Sequence, residues 1–133
     1  MNFKIISLSF LGLLALAGCY EKTTKDGDKI NCSAVSIPAL IIEVFDKETG
    51  LPLVCGVTVS VQDGDFMQEQ SMKSGDDCVL NISDPFSLAF EREGKYDITV
   101  IKEGYIDWYQ YDTVVSSNIC HVNTIKVQAY IDK

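Results

Sequence analysis

Short runs of β-branched and aromatic residues recur along this chain between turn-forming residues: ALIIEVF, GVTVSVQ, FMQEQSM, CVLNIS, KYDITVIK, WYQYDTVV and HVNTIKVQAYI. Within them apolar and polar positions alternate, the two-residue period of a strand with one face buried. Val57, Val59 and Val61 alternate with Thr58, Ser60 and Gln62, and Tyr96, Ile98 and Val100 with Asp97 and Thr99. The last run repeats the pattern, with Ile125, Val127, Ala129 and Ile131 set against Lys126, Gln128 and Tyr130. The connections carry matching turn chemistry: Thr49-Gly50-Leu51-Pro52 between the first two runs, and Asp63-Gly64 as a tight hairpin signal between the second and third. No window beyond the N-terminal segment has a helical period, and Ser87 to Glu93 reads as at most one short turn. The pattern predicts an all-β fold, an antiparallel-rich seven-strand β-sandwich.

The N-terminus follows different rules. One lysine, Lys4, precedes the apolar run Ile5–Ala17, which ends at Gly18-Cys19 before Glu21 and Lys22. This is the layout of a signal peptide, and the run is too short for a spanning helix, which needs about 20 apolar residues. Leu16-Ala17-Gly18-Cys19 resembles a bacterial lipobox, in which the cysteine thiol is acylated and the chain is cut just before it. The expectation is a signal peptide over 1–18, a lipidated Cys19 opening a flexible tether over 19–36, and a β-sandwich domain over 37–133. Two or three acyl chains, at about 0.8 kcal/mol per buried methylene, anchor a protein stably to a membrane that it does not cross. Tyr20 stands where an aspartate would resemble the inner-membrane retention signal of enteric bacteria, so the expected location is the outer membrane of a bacterial envelope.

Composition narrows the function classes. The 133 residues hold 11 Lys+Arg against 19 Asp+Glu, a net charge of -8, with 47% hydrophobic residues, which suits one ordinary domain and opposes disorder. Removing residues 1–18 takes one lysine and no acid, leaving 10 minus 19, or -9. An acidic chain without a Lys/Arg cluster repels phosphate backbones, so nucleic acid is not an expected partner.

Five cysteines become four once Cys19 is assigned to lipid: Cys32, Cys55, Cys78 and Cys120. Outside the cytoplasm four cysteines pair as two disulfides, and no CxxC or Cys/His spacing suggests zinc. Sequence spacing alone leaves all three connectivities open.

Asp46-x-x-Thr49-Gly50-x-Pro52-Leu53 before the Val57/Val59/Val61 strand, then Gly94-x-Tyr96-x-Ile98-x-Val100 and Gly104-Tyr105, resembles the carboxypeptidase regulatory-like domain, a transthyretin-like (prealbumin-like) sandwich, over most of residues 40–130. Cys120-His121-Val122 and the cysteine after the first turn are similar to features of small bacterial lipoproteins on this scaffold. The chain departs from the family where relatives have a short turn after the third strand: here Ser74 to Phe90 intervenes, carrying Cys78. The resemblance implies that the first and last strands lie side by side and parallel, and from this it implies the pairs Cys55–Cys78 and Cys32–Cys120. Loop entropy assigns these roughly 3 and 4.5 kcal/mol as upper bounds. The family's domain is non-catalytic, so no catalytic residue carries over.

The remaining candidates each have a plainer reading. His121 adjoins Cys120, but neighbours on a strand point to opposite faces, so thiol and imidazole do not meet. Asp63, Asp65, Asp76 and Asp77 cluster near turns as calcium ligands would, yet without an EF-hand pattern they read as solvated turn residues. Asn31-Cys32-Ser33 and Asn81-Ile82-Ser83 match glycosylation sequons, which a bacterial lipobox makes accidental. No hydrolase, metalloprotease, P-loop or dinucleotide motif is present, so neither metal nor cofactor is expected.

Gly104 to Asp112 packs Tyr105, Trp108, Tyr109 and Tyr111 into one stretch. On a strand Tyr105, Tyr109 and Tyr111 share one face while Ile106 and Trp108 share the other, so one set is expected to be partly exposed. The expectation for function is a non-enzymatic, lipid-anchored binding or scaffolding module of the cell envelope. Its alternatives are a carbohydrate-binding module using Tyr105, Tyr109 and Tyr111, and an accessory subunit of an envelope enzyme or transport complex. The partners are the membrane and a protein or glycan.

Overall fold

A computed structural model describes residues 21–23, 27, 29–73 and 84–133. The described residues form strands and no helix: β1 (Glu21–Thr23), β2 (Lys29–Asn31), β3 (Leu40–Asp46), β4 (Val57–Asp63), β5 (Phe66–Ser71), β6 (Phe86–Leu88), β7 (Gly94–Lys102), β8 (Trp108–Val115) and β9 (Ile125–Ile131). Apart from the small β1–β2 ladder, they make two sheets, ordered β6-β3-β9 and β5-β4-β7-β8. Every pairing is antiparallel except β3 with β9, which runs parallel from Leu40↔Ile125 to Asp46↔Ile131. The signal segment, Cys19, Cys78, Asp76, Asp77 and the Asn81 sequon lie outside the described residues, as does the CVLNIS run.

Within the segment 19–36, β1 and β2 pair from Glu21↔Asn31 to Thr23↔Lys29. One expectation changes. The single turn expected over Ser87–Glu93 begins instead as strand β6, which pairs with β3 through Leu40↔Leu88 and Ile42↔Phe86. Three residues are too few to display an alternation, so only burial identifies this strand: Phe86 and Leu88 point into the core on either side of half-buried Ser87. Positive φ at Ala89 (55°) and Glu91 (52°) then turns the chain out of the sheet.

One core lies between the sheets. Val57, Val59, Val61, Tyr96, Ile98 and Val100 face it from the four-stranded sheet, and Leu40, Ile42, Val44, Val127, Ala129 and Ile131 from the other. Burying each larger aliphatic side chain contributes roughly 1.5–3 kcal/mol, which is why the β-branched alternation decides which face turns inward. The Asp63-Gly64 signal forms a hairpin closed by the pair Asp63↔Phe66. The start of β7 presses on this hairpin so closely that a Cβ at Gly94 would collide with the Asp63 carboxylate. Arg92 locks the contact, its Nη1 donating to Asp63 Oδ2 (2.6 Å) and to the Tyr96 hydroxyl (3.0 Å) while the guanidinium covers the Phe66 ring at 4.2 Å.

Candidate functional site

Strand β8 forms one edge of the four-stranded sheet and bends at a bulge. The register passes from Ile98↔Gln110 to Tyr96↔Thr113, so that Asp97 faces both Tyr111 and Asp112. Asp112 takes the left-handed conformation (φ 58°), which asparagine and aspartate tolerate better than most residues. Its N–H donates to Asp97 Oδ1 (3.1 Å), and its carboxylate accepts from Lys95 Nζ (2.6 Å). The extra residue shifts the alternation by one. Trp108 and Gln110 lean inward before it, Thr113 and Val115 are buried after it, and Tyr109, Tyr111 and Val114 are left outside.

Tyr109 and Tyr111 are 49% and 66% exposed, and their rings are parallel within 2° with centroids 6.2 Å apart. The Tyr109 hydroxyl donates to Asp107 Oδ2 at 3.2 Å, and this carboxylate holds the phenol's pKa above its ordinary value. Trp108 is half-buried against the core. Tyr105 leaves the expected strip: it lies in the turn before β8, half-buried, and its hydroxyl donates to Asp46 Oδ2 at 2.7 Å. The parity count failed there because it treated Gly104–Asp112 as one continuous strand.

Asp46, buried at the end of β3, explains the Asp-x-x-Thr-Gly motif structurally. Its Oδ1 accepts the N–H groups of Glu48 (3.0 Å) and Thr49 (2.9 Å), and Oδ2 takes the Tyr105 hydroxyl. The Thr49 N–H, then the Tyr105 hydroxyl, hold this carboxyl far below the usual aspartate range. Oδ2 also lies 3.5 Å from Lys133 Nζ, so the carboxylate is engaged by two turn N–H groups, a phenol and a cation.

At the opposite end of β3 the disulfide Cys32–Cys120 closes the molecule, with Cα atoms 5.3 Å apart. Cys55 is also disulfide-bonded. The bridge sets Ser33 beside His121. Ser33 Oγ lies 2.9 Å from His121 Nε2, and His121 Nδ1 lies 2.8 Å from Glu91 Oε1. Glu91 is fixed by a reciprocal pair of bonds to Ile37, its Oε1 accepting the Ile37 N–H (2.7 Å) and its own N–H donating to the Ile37 carbonyl (2.9 Å). The Ile37 N–H, and after it the imidazole, lowers the Glu91 pKa. Beside this row is a polar recess of about 190 Å³, lined in part by Glu91, Glu93, Ser117, Asn118 and His121.

Sequence reasoning considered His121 only against its neighbour Cys120 and missed Ser33 and Glu91. A signal existed for one of them: once Cys32 is paired with Cys120, the residues that follow each cysteine, Ser33 and His121, must be close. Nothing in the sequence indicates Glu91, whose placement depends on the positive-φ turn after β6. Of the acids considered for calcium, Asp63 is occupied by Arg92 and Asp65 is an exposed turn residue. No group of three His, Cys, Asp or Glu that could hold a metal ion occurs among the described residues. No family model, curated protein or solved structure matches this chain.

Proposed function

We propose that this chain is a bacterial envelope lipoprotein, acylated at Cys19 and held at the outer membrane, whose sandwich of the prealbumin-like type presents the β8 edge to a protein partner. The observation that carries the reading is the exposed, parallel Tyr109–Tyr111 pair on an edge strand, beside exposed Val114. Edge strands offer unpaired main-chain groups, and tyrosines supply contact area with little conformational entropy to lose. The lipobox-like Leu16-Ala17-Gly18-Cys19 supports the anchor, and the acidic composition argues against nucleic-acid partners. Cys55–Cys78 is the pairing we propose for the second disulfide.

The parallel rings also favour a second reading, stacking against a sugar by Tyr109 and Tyr111. Tyr105 has no part in it, because its hydroxyl is committed to Asp46. A photo-crosslinking residue placed at Tyr111 in cells separates the two. A defined protein adduct that disappears in Tyr109→Ala supports docking, whereas crosslinks to lipid alone, with a positive glycan array, support the sugar reading. Incorporation of labelled palmitate, abolished by Cys19→Ser, tests the anchor.

A further inference from the structure

We propose that Ser33, His121 and Glu91 form a hydroxyl–imidazole–carboxylate relay that makes Ser33 Oγ a nucleophile toward uncharged or cationic activated esters. The site is separate from the β8 edge and does not depend on the docking reading.

Proton positions follow from the partners. Glu91, held ionised by the Ile37 N–H, can only accept, so His121 Nδ1 must carry the proton that joins them. In the neutral imidazole Nε2 is then an acceptor, and the Ser33 hydroxyl 2.9 Å away donates to it. This is the order of contacts that lets a serine be deprotonated as it attacks: hydroxyl to Nε2, Nδ1–H to carboxylate. All three groups are held in place. Ser33 and His121 each follow a half of the same disulfide, and Glu91 is clamped by two bonds to Ile37 while its backbone sits at φ 52°, a conformation uncommon outside glycine that tends to occur at functional sites.

The recess reaches the row through Glu91 and His121, whereas Ser33 Oγ lies outside its lining and is exposed, so an ester would meet the hydroxyl from solvent at the rim of the recess. Glu91 and Glu93 give it a negative rim, Glu93 already accepting from Ser117 Oγ at 2.6 Å, which disfavours anionic substrates. The main-chain N–H groups of Cys120 and His121 both donate to Asn118 Oδ1 (2.8 and 2.9 Å) and so are not free to stabilise an oxyanion. The chemistry therefore needs an electrophile with a good leaving group. Attack of Ser33 Oγ on the ester carbonyl carbon forms the new C–O bond as the hydroxyl proton passes to His121 Nε2. The bond to the leaving oxygen breaks, and the departing alcohol takes that proton, leaving an acyl-serine. Water attacking this ester, with the same imidazole relaying its proton, releases the carboxylic acid and restores Ser33.

The test is covalent labelling of the purified full chain with a tagged alkyl fluorophosphonate, in which Ser33 Oγ displaces fluoride from phosphorus and the hydroxyl proton leaves by way of His121. The expected result is a tag mapped to the peptide containing Ser33. Labelling should be abolished in Ser33→Ala, slowed about a hundredfold or more in His121→Gln, as expected for loss of a general base, and unchanged in Ser36→Ala. Peptide mapping of Cys32–Cys120 in each variant keeps loss of reactivity distinct from loss of fold. Labelling no faster than in urea-unfolded protein, a tag on another residue, or full reactivity in His121→Gln with the disulfide intact would each overturn the proposal.

Discussion

The parallel pair β3–β9 is closed at both ends by a carboxylate that gathers main-chain N–H groups, and the two closures differ in what the acid does with its remaining capacity. At the far end Asp46 accepts two turn N–H groups and a phenol whose position is fixed by the neighbouring turn. At the near end Glu91 accepts the Ile37 N–H and then an imidazole, which passes the interaction on to an exposed hydroxyl. The first arrangement is a dead end that stabilises a loop. The second is a chain whose last member faces solvent. Similar acids, similarly anchored, thus become structure or chemistry according to whether the last partner is itself able to relay a proton.

The comparison is broken most forcefully at the disulfide. Replacing Cys32 and Cys120 together by serine should cost up to about 4.5 kcal/mol, read as a fall in the urea midpoint. Native-state hydrogen exchange should show the Ile37 and Glu91 amides losing protection while the Glu48 and Thr49 amides keep theirs. Next comes Ile42→Ala, in the middle of β3 and fully buried. It should cost about 3 kcal/mol and raise exchange at both ends alike, because it loosens the element they share.

Asp46→Asn should produce a smaller loss confined to the far end and dependent on pH. The folded pKa of Asp46 lies below its unfolded value, so the carboxylate's contribution is complete above about pH 4 and declines as pH falls toward the folded pKa. The variant should therefore melt below the wild type at pH 7, with the gap closing under acid; a gap that widens on acidification would contradict the assignment. The smallest effect on stability is expected from Tyr109→Ala with Tyr111→Ala, whose exposed side chains belong to neither closure. The melting temperature should stay unchanged, while Tyr109→Ala alone should lose the adduct formed by the crosslinker at position 111.

The all-β class was legible because the residues that alternate in sequence are those that face the core: Val57, Val59 and Val61, then Tyr96, Ile98 and Val100. The parallel neighbours β3 and β9 and the bridge Cys32–Cys120 agree with what the family resemblance implied, although no match identifies that family. Strand β6 escaped notice because three residues carry too little pattern. Tyr105 was misplaced because a turn interrupts the run before β8 begins at Trp108. The Ser33–His121–Glu91 row was hidden for a more general reason. Its members lie 88 and 30 residues apart, and only a disulfide and a left-handed turn bring them together.

The position of that bridge also decides how the protein would bear a mechanical load. Tension applied between the segment before Cys32 and the C-terminus travels through the covalent link at Cys120 into the final 13 residues, bypassing the 87 residues enclosed between the two cysteines. Pulling would peel β9 away and then stop, and the enclosed loop would add no length until the sulfur–sulfur bond is reduced.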